Sequence, residues 1–125
     1  MSSRKILGAI AVGRLLIGIA MLIVPREVAR RWLGRGAATP ESGSFVRAVG
    51  GRDVAYSLGS LQAARSGDPR PWLAAGLLVD GVDSWATMTT EGLSTGRKLS
   101  GGWAAFVAVG MAVAGLLAED EQPPS

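Results

Sequence analysis

Two aspartates lie in the middle of an otherwise apolar segment, in the stretch Leu77-Leu78-Val79-Asp80-Gly81-Val82-Asp83. On a helix, their spacing places both carboxylates on one face. Carboxylates held close together at low dielectric cannot all be ionised, so one keeps its proton at neutral pH and can act as a general acid while a neighbour acts as the base. The pair therefore predicts acid–base chemistry that needs no metal.

A second charged group lies in the middle of the preceding apolar segment, in Gly50-Gly51-Arg52-Asp53, and Arg14 lies in the middle of the first one. The midpoints of membrane-spanning helices share one depth whichever way each helix runs, so these groups are expected to meet the aspartate pair. A lone charge in a bilayer costs more than an Arg–carboxylate pair. Three arginines, with Arg47 as the outlying one, against three aspartates predict a neutral core.

Helical periodicity extends this centre. Thr87 shares the face of Asp80 and Asp83, and Tyr56 and Ser57 share the face of Arg52 and Asp53. The candidate catalytic residues are Asp80, Asp83 and Asp53; the candidate substrate-binding or charge-tuning residues are Arg14, Arg52, Tyr56, Ser57, Thr87 and Trp85.

Composition narrows the chemistry. Cysteine and histidine are absent, which removes disulfides, thiol chemistry and the ordinary zinc and haem sites. We expect neither a metal nor a cofactor. The net charge of +3 is spread over segment ends rather than gathered on one face, which argues against nucleic-acid binding and favours juxtamembrane placement in a lipid bilayer.

The apolar segments predict a single all-α domain over residues 1–125, a four-transmembrane-helix bundle with a short interfacial helix after the first span. Mean hydropathy is +0.29 because charges interrupt these segments. Thr39-Pro40-Glu41 is typical of a helix start. The spans are expected at about 6–24, 45–64, 72–90 and 99–118, with a disordered tail over 119–125.

Lysine and arginine counts predict the orientation of the bundle. The loops after the first and third spans hold six basic residues, whereas the amino terminus and the middle loop hold four. The positive-inside rule then places both termini outside the membrane. We expect a multi-pass protein of a bacterial inner membrane.

The stretch from Phe45 to Ala55, followed by Leu78-Val79-Asp80-Gly81-Val82-Asp83, resembles a family of small four-span bacterial membrane proteins of unknown function. The resemblance covers nearly the whole chain and implies an Arg-Asp pair in the second helix and an Asp-bearing third helix. In size and layout the chain is also loosely similar to DoxX-like membrane proteins. Neither resemblance implies an activity.

Three interpretations of the charged centre remain open. The first is a membrane-embedded enzyme of the isomerase, cyclase or epoxide-opening type, which acts on a lipophilic small molecule through Asp80 and Asp83. The second is a noncatalytic structural or accessory protein in which the ion pairs lock the bundle. The third is a small proton or ion transporter, which would require a homo-oligomer because four helices are few for a pore. We take the enzyme as the working hypothesis.

Overall fold

The computed structural model describes residues 2–89, 94, 96, 107 and 109–118. The described part of the chain is helical and contains no strand, so the all-α prediction is confirmed. The described helices are α1 Ser3–Ile23, α2 Pro25–Leu33, α3 Pro40–Ser66 and α4 Arg70–Thr89, with a short 3₁₀ turn at Arg35–Ala37. Residues 109–117 are also helical.

Local signals explain where the first two helices begin and end. The Ser2 hydroxyl accepts a hydrogen bond from the backbone N–H of Lys5, which starts α1 before its apolar stretch. Pro25 ends α1 and occupies the first turn of α2, where its missing N–H costs nothing. Gly34 follows α2 with a φ of 113°, a conformation that suits glycine. The chain thus turns sharply at each end of α2.

The third helix is longer than its apolar part. The Thr39 hydroxyl accepts a hydrogen bond from the backbone N–H of Ser42, and Pro40 opens the helix, so α3 begins five residues before the predicted span at 45. Hydropathy located the apolar stretch, whereas the capping residues set the start of the helix. The Thr39-Pro40-Glu41 signal does mark that start.

Helices α1 and α3 run antiparallel and form the main helix pair of the structure. They approach most closely at Gly18 and Gly50. A Cβ atom placed on Gly50 would lie 2.7 Å from the Cβ of Met21 and 2.9 Å from the carbonyl oxygen of Gly18. The two backbones therefore touch, a close approach that only small residues permit.

Two apolar clusters lie at opposite ends of this pair. At one end, the buried side chains of Leu7, Ala63 and Leu73 join α1, α3 and α4. At the other end, Met21, Ala29 and Val46 join α1, α2 and α3. Helix α4 therefore runs in the same direction as α1, and the charged residues lie between the two clusters.

The helical residues 109–117 pack near the first cluster. A Cβ placed on Gly115 would lie 3.0 Å from both methyl carbons of Leu73 and 3.1 Å from Cγ2 of Ile6. Ala112, three residues earlier, is also buried. These small residues let this stretch lie directly against α1 and α4.

One of the described helices, α1, is long and apolar enough to cross a membrane, with a mean hydropathy of 2.4 over its best 18-residue window. Only 28% of that window is buried within the protein. The described residues thus provide one candidate span, and a four-span bundle stays a prediction. The loop expected after the third span, the first half of the fourth span and the tail 119–125 fall mostly outside the described residues.

Candidate functional site

A charged centre lies where α1, α3 and α4 meet. The antiparallel pairing of α1 with α3, fixed at Gly18 and Gly50, places Arg14 one turn further along beside Asp53. The Leu73 contact holds α4 against the same two helices and places Asp80 two turns beyond that contact. Three of the residues singled out in the sequence are thereby brought together.

Arg14 bridges two carboxylates from different helices. Its Nη1 donates to Oδ1 of Asp53 at 3.4 Å, and its Nη2 donates to Oδ1 of Asp80. The side chains of Arg14, Asp53 and Asp80 are 11%, 9% and 12% exposed. This bridge is the least exposed of the ion pairs between α1, α3 and α4 among the described residues, and water screens it least.

Arg52 and Asp83 form the outer part of the centre. Nη2 of Arg52 donates to Oδ2 of Asp83 at 3.1 Å and lies 3.7 Å from Oδ1 of Asp53. The side chains of Arg52 and Asp83 are 46% and 40% exposed. Asp53 thus lies between the two arginines, and Asp83 is the carboxylate that is open to the surroundings of the bundle.

The centre carries more carboxylates than guanidinium groups. Among the described residues it contains Arg14 and Arg52 against Asp53, Asp80 and Asp83, two positive charges against three negative ones. Arg47, the third arginine in the sequence-based count, lines a cleft at the end of α1 instead. Among the described residues, the three expected arginines therefore do not all meet at the centre, and its formal charge is −1 when all three aspartates are ionised.

Tyr56 links the centre to the start of α4. The guanidinium carbon of Arg14 lies 5.2 Å from the centroid of the Tyr56 ring, within the range of a cation–π contact. The Tyr56 hydroxyl donates to the backbone carbonyl of Trp72, and the two rings are 5.6 Å apart. Gly76 leaves room for this hydroxyl. The sequence places Tyr56 on the polar face of α3, but no sequence pattern identifies Trp72 as its hydrogen-bond partner.

Three other candidates are not in direct contact with these charges. The hydroxyls of Ser57 and Thr87 donate to the backbone carbonyls of Asp53 and Asp83, four residues earlier on their own helices, at 2.7 Å and 2.9 Å. Such bonds satisfy the two hydroxyls within their own helices, and they often bend a helix slightly. Trp85 is 68% exposed. It lies on the outer surface of α4 in the described structure.

Among the described residues, no group of three histidine, cysteine, aspartate or glutamate side chains is arranged to hold a metal ion. The geometry instead offers two guanidinium groups that orient three carboxylates, one of them accessible. No family model, curated protein or solved structure matches the chain. The resemblance to small four-span membrane proteins therefore stays a prediction.

Proposed function

We propose that the protein is a multi-pass membrane protein whose charged centre holds one proton and performs acid–base catalysis on a lipophilic small molecule. The observation that carries the catalytic part is the excess of one carboxylate over the guanidinium groups. In surroundings of low dielectric an uncompensated negative charge is costly, and a carboxylate relieves that cost by taking up a proton. A carboxyl that is protonated at neutral pH is the group that a general acid requires.

The distribution of side chains supports the membrane part of this proposal. Small or polar residues of α3, namely Gly50, Asp53, Ser57 and Ser60, are buried. Large apolar side chains point outward, among them Leu16, Ile23, Phe45, Leu78 and Trp85. Exposed apolar patches of this extent are rare in a water-soluble bundle.

The positions of the carboxylates suggest their roles. Asp80 is held by Arg14 on the inner side of the centre, whereas Asp83 is the most exposed of the three carboxylates and the one that a substrate can reach first. We therefore assign the delivery of the centre's proton to Asp83 and the removal of a substrate proton to Asp80. In an isomerisation, Asp83 gives its proton to one carbon of the substrate and Asp80 removes a proton from another. One transfer of a proton between the carboxyl groups then restores the starting state. No metal or oxidant takes part.

A second candidate function is a noncatalytic role, in which the centre holds the helices together for assembly with a partner. One observation favours it: each of the three carboxylates lies within 4 Å of an arginine nitrogen, the distance of an ion pair. Ion pairs of this kind specify which helices pack together. On this hypothesis all of the aspartates are ionised and none exchanges a proton.

Infrared spectroscopy of the purified protein in lipid distinguishes the two candidates. We expect a protonated carboxyl C=O band at neutral pH that disappears in Asp83→Asn or in Asp53→Asn. Asp68→Asn is the matched control, because Asp68 is an exposed aspartate in the turn before α4. A spectrum without a protonated carboxyl would refute the acid–base proposal and leave the noncatalytic role.

The membrane part has its own test. The tagged chain, expressed in bacteria, should stay in the membrane pellet after an alkaline carbonate wash and enter solution only with detergent. Release by carbonate alone would contradict the membrane proposal, whatever the infrared result. The two experiments therefore fail separately.

A further inference from the structure

We infer that a cleft at the end of α1, away from the charged centre, binds a phosphate-bearing anion, and we assign that anion to the headgroup of an anionic phospholipid. The cleft has a volume of about 700 Å³ and lies between the α1–α2 corner and the first turns of α3. Its lining includes Ile23, Val24, Arg26, Glu27 and Arg47. This inference uses the membrane placement proposed above but not the acid–base chemistry.

Two arginines face this cleft from different helices. Arg26 belongs to α2 and Arg47 to α3, and neither forms an ion pair with a carboxylate of the described residues. The Cγ of Arg26 lies 3.4 Å from the position that a Cβ on Gly43 would occupy, so its aliphatic stem packs on α3. Two guanidinium groups at one cleft, neither with a carboxylate partner among the described residues, suit a phosphate, which accepts several hydrogen bonds at once.

The carboxylate in the cleft does not cancel this charge. Glu27 accepts hydrogen bonds from Arg30 at 2.6 Å and 3.1 Å and from Arg31 at 2.9 Å. Its negative charge is therefore already paired within α2. Arg26 and Arg47 leave the cleft with a net positive charge, and Arg30 and Arg31 add to the positive potential nearby.

The depth of the cleft suits a headgroup. Ile23 follows Arg14 by nine residues on α1, and Ser44 precedes Asp53 by nine residues on α3. Nine residues of helix span about 14 Å, close to half of the roughly 30 Å hydrocarbon thickness. If the charged centre lies at mid-depth, the cleft lies at the boundary between acyl chains and headgroups.

Apolar side chains at the rim complete the match to a lipid. Ile23 and Val24 are 70% and 46% exposed, and Phe45, on the neighbouring surface of α3, is 77% exposed. If the two arginines hold the phosphate of a phospholipid, the acyl chains of that lipid would lie against these residues. A free phosphate ion would use the arginines alone.

The test measures thermal stabilisation of the detergent-purified full chain by added lipid. Phosphatidylglycerol should raise the midpoint of unfolding in a saturable way, and phosphatidylcholine, which has a phosphate but no net charge, should raise it much less. In Arg26→Gln/Arg47→Gln, the concentration of phosphatidylglycerol that gives half of the effect should increase about tenfold or more, since two charge-assisted bonds are lost. Arg47→Lys, which keeps the charge, should lose less.

The matched control is Arg65→Gln/Arg70→Gln, which removes two exposed arginines at the opposite end of α3. It should respond to phosphatidylglycerol as the unmodified protein does. Glycerol 3-phosphate and inorganic phosphate test whether a free anion binds instead of a lipid. If either one stabilises the protein saturably at the same concentration as phosphatidylglycerol, the assignment to a lipid is overturned. Equal responses to both lipids, or an unchanged response in Arg26→Gln/Arg47→Gln, would overturn the site itself.

Discussion

Arg14 of α1 and Asp53 of α3, which are 39 residues apart in the chain, form a part-buried ion pair with an Nη1–Oδ1 distance of 3.4 Å. The same guanidinium group also binds Asp80 of α4. One side chain therefore ties three helices together, and its removal would leave two buried carboxylates without their principal partner. Substitution of Arg14 should therefore destabilise the packing of all three helices.

Arg14→Met should destabilise the protein by about 3 kcal/mol, the lower end of the usual cost of breaking a buried ion pair, because both of its ion pairs are part-buried. The comparison variant is Arg52→Gln. Its side chain is 46% exposed, against 11% for Arg14, so its loss should cost less. Thermal unfolding in one detergent measures both. Equal losses of stability in the two variants would contradict the role of burial. The triple variant Arg14→Met/Asp53→Asn/Asp80→Asn should recover part of the stability, because Asp53 and Asp80 no longer carry an unpaired charge.

The glycine pair in α3 offers a matched test of helix packing. Gly50→Ala should cost about 1–3 kcal/mol, because its Cβ would lie 2.7 Å from the Cβ of Met21 and 2.9 Å from the carbonyl oxygen of Gly18. Gly51→Ala should be neutral or stabilising by up to about 1 kcal/mol, since no atom of the described residues lies within 4 Å of the added Cβ. Chemical unfolding in mixed micelles compares the two. The reverse order would mean that α1 and α3 do not cross at Gly18.

Tyr56→Phe isolates one hydrogen bond between α3 and α4. The substitution removes the hydroxyl that donates to the Trp72 carbonyl and keeps the ring that contacts Arg14. We expect a loss of about 1 kcal/mol. Tyr56→Leu, which also removes the cation–π contact, should lose more. If Tyr56→Phe and Tyr56→Leu lose the same amount, the ring contact with Arg14 contributes nothing.

Glu27 should titrate below the ordinary range of a glutamate. Hydrogen bonds from Arg30 and Arg31 lower the pKa of its carboxyl group. A lowered pKa means that the folded state prefers the ionised form, so the contribution to α2 stability is complete above the ordinary glutamate pKa and is lost as pH falls through the lowered value. Carboxyl carbon NMR measures the midpoint, and Arg30→Gln/Arg31→Gln should return it to the ordinary value. A midpoint unaffected by these substitutions would contradict the assigned cause.

Local sequence signals were enough to predict the helical class, the helix start at Thr39-Pro40, the stop at Pro25 and the common level of Arg14, Asp53 and Asp80 along their helices. These follow from local chemistry and from the fixed rise of a helix, which places the middle residues of segments of similar length at one level. The identity of the residues that share a helix face also followed from the fixed angle of about 100° per residue.

Which charges meet depends on how the helices pack against one another. Arg47 and Asp53 lie six residues apart on α3, about 120° away from each other around the helix, and packing of that helix on α1 at Gly50 turned Asp53 inward and Arg47 toward the α1–α2 corner. Among the described residues, the excess carboxylate of the centre and the absence of a carboxylate partner for the arginines of the cleft both result from that rotation. The Tyr56–Trp72 contact likewise required the turn between α3 and α4, because pairing across helices depends on how they are oriented and not on residue spacing within either one.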